Sequence, residues 1–260
     1  MAYQFVNVVR EERITLVTLN RPDVLNALHP PAHHELADIF DQFAADPDQW
    51  IAIVTGGGSR AFCAGNDLKF RAEQGRRPMP VSGFAGLTSR FDLDKPIIAA
   101  VNGLALGGGF ELALACDLVI ADEAAEFGLP EVCVGLAPLA GGLQRLAMQI
   151  GLKAAMGMAL TGRIVAAAEL LRMGWLNELV PPGEALAGAR RWAAAILHAG
   201  PLAVRASKRV MLHGLDAGGI QTALRDQDQL PAVQAMRASA DALEGPRAFM
   251  QKRPPQWSGR

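Results

Sequence analysis

The spacing of apolar positions along this chain changes from a strand-like to a helix-like period. Ile14-Thr15-Leu16-Val17-Thr18-Leu19 is rich in β-branched residues and partly alternating, which predicts a strand. Residues 5–9 are its expected partner, joined through a charged turn over 10–13. Asn20-Arg21-Pro22-Asp23 ends the strand. Pro30 and Pro31 open a helix in which Leu36, Ile39, Phe40 and Phe43 fall at i, i+3, i+4 and i+7, and Asp46-Pro47-Asp48 stops it. The runs 51–55, 96–101 and 118–121 read as buried strands. After Leu179-Val180 the pattern is almost entirely helical, over roughly 183–198, 201–214, 218–229 and 238–251. The first half alternates strand and helix and the second does not. This predicts an α/β core over 1–200 followed by a helical C-terminal region over 201–260. Segment 75–86, with Pro78, Pro80, Gly83 and two arginines, is expected to be a mobile surface loop. No internal sequence repeat stands out.

With 260 residues the chain can bury a full core. Half of its residues are hydrophobic, and the formal net charge of -1 argues against a nucleic-acid partner, which needs a basic stripe. Cys63, Cys116 and Cys133 form no C-x-x-C pair, so they suggest reduced, mostly buried thiols in a cytoplasmic protein. The N-terminus shows no secretory signal pattern. The most apolar stretch, 96–121, is broken by glycines, Asn102, Glu111 and Asp117, so it reads as core and no membrane span is expected.

Three glycine clusters follow predicted strands. Gly56-Gly57-Gly58-Ser59-Arg60-Ala61 fits G-x-G-x-x-A, but no helix continues it and no strand with an acidic end follows, so a tight turn is the better reading. Ala64-Gly65-Asn66-Asp67 offers two N-cap residues; it is either a capped helix start or a helix start whose free N–H groups hold an anion or a polarised carbonyl. Gly107-Gly108-Gly109 costs backbone entropy, which is explained by close helix-on-strand packing or by a ligand that the backbone approaches.

Glu111 closes the third cluster, and Glu131 closes Gly128-Leu129-Pro130-Glu131. Glu111 reads as a first-turn acid favoured by the helix dipole and Glu131 as an N-terminal acid on a short surface turn, or both read as working carboxylates in an apolar setting. Two carboxylates beside backbone N–H groups are the equipment for moving protons next to a developing oxyanion. His29, His33 and His34 read as a solvated helix start, because no third metal ligand is evident. No G-x-S-x-G elbow appears.

Taken in order, Arg21-Pro22-Asp23-Val24-Leu25-Asn26-Ala27-Leu28, Ala61-Phe62-Cys63-Ala64-Gly65-Asn66-Asp67-Leu68, the run from Lys95 to Leu112, Phe127-Gly128-Leu129-Pro130-Glu131 and Ala140-Gly141-Gly142-Leu143-Gln144-Arg145-Leu146 resemble the crotonase superfamily (enoyl-CoA hydratase/isomerase) over nearly the whole chain. The resemblance implies a crotonase-like ββα spiral with a helical C-terminal trimerisation region, in homotrimers or dimers of trimers. It implies acyl-CoA substrates, with no metal or redox cofactor; the charge balance and the absence of an apolar span leave neither nucleic acid nor membrane expected as a partner.

By the same resemblance the N–H groups of Asn66 and Gly108 hold the thioester oxygen. Glu111 and Glu131 match the carboxylate pair of the hydratase branch, which favours reversible hydration of a trans-2-enoyl-CoA. Val24, Leu25, Ala27, Ala64, Asp67 and Leu68 are expected along the CoA channel. Leu104, Gly107, Pro130 and Leu139 complete the substrate-binding set. Phe249 and Lys252 are expected to reach a neighbouring subunit's CoA. A narrower likeness, in residues 83–88, 91–96 and 241–246, is to the carnitinyl-CoA dehydratase (crotonobetainyl-CoA hydratase) branch. That dehydratase, an enoyl-CoA isomerase using Glu131 alone and a non-catalytic crotonase-fold scaffold are the alternatives.

Overall fold

The β-branched run forms β2 (Ile14–Leu19), which pairs antiparallel with β1 (Val6–Glu11). The hairpin is longer than its sequence suggests. Arg10 and Glu11 stay in the ladder opposite Thr15 and Ile14, and the turn shrinks to Glu12 and Arg13, with Glu12 at φ 52°. The structure, a computed structural model, describes residues 3–75 and 77–260. Met1, Ala2 and Arg76 lie outside the described residues, and with them the start of the N-terminal reading and one position of the loop expected over 75–86.

From β2 onward the sheet is parallel, through β3 (Ile51–Gly56), β5 (Ile97–Val101), β7 (Leu118–Asp122) and β10 (Glu178–Val180). β3 and β5 are buried along their whole length, which is why they read as unbroken apolar runs. A second sheet is built from three-residue strands: β4 (Ala61–Cys63), β6 (Leu104–Leu106), β8 (Glu126–Gly128) and β9 (Ile164–Ala166). The first three of these run parallel. They are too short, and too closely flanked by glycine, to leave a period in the sequence.

The chain alternates between the sheets. β3 leads to β4 and α2 (Leu68–Gln74). β5 leads to β6 and α3 (Gly108–Leu114). β7 leads to β8 and the 3₁₀ turn Pro130–Val134. These are three successive turns of the ββα spiral that the family resemblance implies. They share geometry rather than residues, so no sequence repeat betrays them. Helix α1 (Pro30–Ala45) starts at its two prolines and buries Leu36, Ile39, Phe40 and Phe43 as expected.

Two sequence readings are corrected here. His29 and His33 are not a solvated helix start: they are 6% and 0% exposed, and the His33 Nδ1 accepts the Ala85 N–H at 3.1 Å. The far end of segment 75–86 is no mobile surface loop, because Phe84, Ala85 and Gly86 are buried. Val81, in the same segment, is fully exposed. Of the cysteines, Cys63 and Cys116 are buried and Cys133 is exposed.

The chain divides into two compact units: the described residues up to Phe91 with Ile97–Arg191, and Asp92–Pro96 with Trp192–Arg260. The first holds both sheets and α4 (Gly142–Ile150), α5 (Leu152–Thr161) and α6 (Ala167–Arg172). Helix α7 runs over Ala185–Leu197.

The second unit carries α8 (Pro201–Asp216), α9 (Ile220–Asp226), α10 (Pro231–Arg237) and α11 (Asp241–Met250). The reading over 218–229 ends in a 3₁₀ turn, Gln227–Gln229. Leu230 and Pro231 then start α10, in a stretch that the sequence pattern leaves unassigned between the helices over 218–229 and 238–251. The C-terminal tail folds back on α11, where Asp241 accepts the N–H groups of Ser258 (2.7 Å) and Gly259 (2.9 Å). Among the described residues no helix is long and apolar enough to cross a membrane.

Candidate active site

Parallel strands carry their chain direction with them, so the segments that leave β4, β6 and β8 emerge on the same side of the second sheet. Those segments are Ala64–Asp67, Gly107–Gly108 and Leu129–Glu131. The fold thereby brings Asn66, Gly108 and Glu131 together although 65 residues separate the first from the last.

The first turn is shaped by two local bonds. The Gly65 N–H donates to Cys63 Sγ at 3.4 Å, and Asp67 caps α2 by accepting the Phe70 N–H at 3.0 Å. The capped-helix reading of this cluster holds, and the Asn66 N–H lies outside the cap. Gly65 has a φ of 93°, and a Cβ built on it would lie 3.1 Å from the Gly108 nitrogen, so the two turns are in contact. Gly109 serves packing, since a Cβ there would lie 1.9 Å from the Cys63 carbonyl oxygen. Among the described residues neither the Asn66 nor the Gly108 N–H donates a hydrogen bond. Two adjacent backbone donors without acceptors suit an oxygen that gains negative charge.

Both glutamates sit against glycines. A Cβ on Gly107 would lie 2.6 Å from Glu131 Oε1, and one on Gly142 would lie 2.7 Å from Glu111 Cγ. Glu111 is 3% exposed, and its Oε1 accepts the N–H groups of Ala140 and Gly142, each at 2.8 Å. Glu131 Oε2 is buried and has no hydrogen-bond partner among the described residues. Burial raises the proton affinity of both carboxyls. Glu111 is pushed up to about 7; the nearby Glu131 charge adds to the effect of burial, while the two backbone N–H groups and Arg145 oppose it.

The Glu131 charge thus reaches Glu111, which links the protonation of the two carboxyls. Arg145 is not among the residues read as functional from sequence. Its guanidinium donates to the Thr88 carbonyl at 2.8 Å and lies 5.8 Å from the centre of the Phe91 ring.

The raised Glu111 pKa has a consequence for stability. The unfolded chain releases this proton near the usual 4.5, whereas the folded protein holds it to about 7. The contribution of Glu111 to stability is therefore full below 4.5 and is lost as pH rises through about 7. In Glu111→Gln the side-chain oxygen still accepts both N–H groups but has no proton to lose. The melting temperature of the wild type is expected to fall relative to Glu111→Gln between pH 5 and pH 8. A constant gap across that range would contradict the raised pKa.

The expected CoA-channel residues form one rim. The Ala64 N–H donates to Leu25 O (3.0 Å), the Leu28 N–H to Gly65 O (2.8 Å) and the Asp67 N–H to Leu28 O (2.8 Å). Arg21 pairs with Asp67 at 2.9 Å and also donates to Ala27 O, so the segment Leu25–Leu28 is tied to the turn after β4. Leu25 and Asn26 both have φ 54°. Val24 and Leu68 are exposed on this rim. Leu104 is half-buried in β6, Pro130 opens the 3₁₀ turn that carries Glu131, and Leu139 is 79% exposed. Phe249 and Lys252 belong to the second unit, at the end of α11 and in the turn after it, with Phe249 exposed.

A family model described as enoyl-CoA hydratase/isomerase matches residues 9–260. A carnitinyl-CoA dehydratase from Proteus mirabilis is 43% identical over 249 residues, 94% of each chain. One from Salmonella typhimurium is 41% identical over 260 residues, 98% of each chain. Among solved structures, an enoyl-CoA hydratase from Mycobacterium tuberculosis superposes with a TM-score of 0.91 at 40% identity, covering 98% of this chain and 99% of that one. A match that omits only the first eight residues, on a spiral that superposes this closely, makes the chain an enzyme of the enoyl-CoA hydratase/isomerase family.

Proposed function

We propose that the protein catalyses reversible addition of water across the double bond of an α,β-unsaturated acyl-CoA, giving the 3-hydroxyacyl-CoA. The observation that carries this reading is the buried Glu111 carboxyl within reach of the Glu131 charge, with Glu131 Oε2 itself buried, beside two backbone N–H groups that have no acceptor among the described residues. An isomerase needs one carboxyl to move a proton between carbons; a hydratase can use two, one to take a proton from the attacking water and one to supply the proton to the α-carbon.

The thioester oxygen takes hydrogen bonds from the N–H of Asn66 and Gly108, which hold the enolate charge as it forms. Glu111, anchored through Oε1 by Ala140 and Gly142, presents its other oxygen to water and takes the proton as the hydroxyl joins the β-carbon. The pair reacts with its proton on Glu131, which among the described residues has no donor beyond its own backbone N–H to favour the ionised form, and that proton passes to the α-carbon. One C–O and one C–H bond form, the C=C π bond is consumed, and the pair ends with its single proton moved from Glu131 to Glu111. Exchange with solvent restores it. The substrate brings its own CoA, and no cofactor is assigned. The trimer or dimer of trimers, with Phe249 and Lys252 at a neighbouring CoA, belongs to the same proposal and rests on the family likeness.

The names of the relatives from Proteus and Salmonella favour a second reading, in which the substrate is carnitinyl-CoA and its dehydration product. Loss of enoyl-thioester ultraviolet absorbance, followed with crotonyl-CoA and with crotonobetainyl-CoA, tests both. Rapid loss with crotonyl-CoA supports the general hydratase. Loss with crotonobetainyl-CoA alone selects the second reading. Conversion of 3-enoyl-CoA to the conjugated thioester, with neither hydration, would overturn both in favour of an isomerase.

A further inference from the structure

We infer that His33 is a positioning residue of this site, acting through the turn Gly83–Thr88 on the oxyanion donor Gly108 and on Arg145 beside Glu111; the inference rests on the hydratase reading above. His33 is fully buried in the first turns of α1 and touches none of the reacting groups named there. Its Nδ1 accepts the N–H of Ala85, and its ring packs 4.5 Å from that of Phe84 at a tilt of 58°.

The turn it grips is an improbable piece of backbone. Gly83, Ala85 and Gly86 have φ of 83°, 52° and 65°. For alanine that conformation is sterically costly and persists only where surroundings enforce it. α1 supplies the enforcement, through the His33 acceptor and through Gly86, where a Cβ would lie 2.4 Å from the Ala37 nitrogen.

Two arms of this turn reach the reaction centre. Phe84 is the first: a Cβ on Gly108 would lie 2.5 Å from its Cζ, so the ring forms the wall behind the donor N–H. Thr88 is the second: its carbonyl holds Arg145, whose charge opposes the rise in the Glu111 pKa. A shift of the turn therefore displaces an oxyanion donor and changes the field at a glutamate together. An imidazole that accepts at Nδ1 is the neutral tautomer protonated at Nε2. Burial favours this form, lowering the pKa of His33 to about 3, so the acceptor persists throughout the working pH range.

The test compares His33→Leu, which removes the acceptor, with His33→Asn, whose Oδ1 can stand where Nδ1 stands. Two readouts are used: kcat and KM for crotonyl-CoA, and the ultraviolet red shift of bound cinnamoyl-CoA, which reports hydrogen bonding to the thioester oxygen without turnover. His33→Leu is expected to lower kcat at least tenfold with KM within threefold, and to diminish the red shift. His33→Asn is expected to restore both to within threefold of the wild type. Equal losses in the two variants, or an unchanged kcat and red shift in His33→Leu, would overturn the role. If His33→Leu does not fold, Phe84→Leu must show the same kcat loss and diminished shift, and its failure to do so overturns the role equally. A wild type that shifts cinnamoyl-CoA but does not hydrate would count against the hydratase reading and leave His33 to be judged by the red shift.

Discussion

Replacing Glu131 by Gln is expected to lower turnover of an enoyl-CoA substrate by roughly 10²–10⁴-fold, the usual contribution of a positioned acid or base. The substitution is nearly isosteric, and among the described residues Glu131 Oε2 accepts no hydrogen bond that the change would break. Gln keeps the shape against Gly107, where the carboxylate approaches so closely that any larger change would disturb the turn. What it loses is the proton. The variant should therefore fold, and it should bind a saturated thioester such as butyryl-CoA within a few-fold of the wild-type Kd. Ultraviolet assay of crotonyl-CoA consumption, with calorimetric titration of butyryl-CoA, separates the two quantities. Turnover within tenfold of the wild type would remove Glu131 from the chemistry. A parallel loss of binding would recast it as a structural residue.

The coupling of the pair sharpens this expectation. Glu111 is held at about 7 partly by the Glu131 charge. Glutamine at 131 removes that charge, so the stability dependence on pH assigned to Glu111 should move to lower pH in the variant. A static pH profile would mean that the two carboxyls do not sense each other.

Glu111 and Glu131 are legible in the sequence because local punctuation surrounds them: each follows a glycine or glycine–proline turn in an otherwise apolar stretch. Asn66 and Gly108 are visible for the same reason. The long strands and α1 are visible because their apolar spacing runs for several residues. The second sheet is not visible, because β4, β6 and β8 have three residues each and take their identity from neighbours in other turns of the spiral. The supports of the site are hidden by the same principle. Ala140 and Gly142 reach Glu111 across 29 and 31 residues, Thr88 reaches Arg145 across 57, and His33 reaches Ala85 across 52. Histidine beside two prolines looks like a solvated helix start. Only the tertiary fold shows that it is buried against a left-handed turn.

Gly108→Val is expected to abolish hydration in a folded protein, and the reason is steric rather than chemical. Valine retains the N–H, so an argument from hydrogen-bond inventory alone would predict no effect. Its Cβ would stand 2.5, 2.6 and 3.0 Å from three atoms of the Phe84 ring, distances that real Cβ atoms do not tolerate. Phe84 is buried and packed against the His33 ring, so it gives little and the start of α3 must move instead. Displacing one oxyanion donor costs roughly 10²–10³ in rate. Because Gly65 also abuts the Gly108 nitrogen, the Asn66 donor is carried along and the loss exceeds that of a single donor. Circular dichroism and melting temperature establish that the variant is folded, and crotonyl-CoA consumption gives the rate. Adding Phe84→Ala to the same chain makes room for the new side chain and is expected to return part of the activity. A folded Gly108→Val with near-wild-type turnover would show that the thioester oxygen is held elsewhere. A folded, inactive single variant with no recovery in the double one would place the damage in α3 itself rather than at the Phe84 wall.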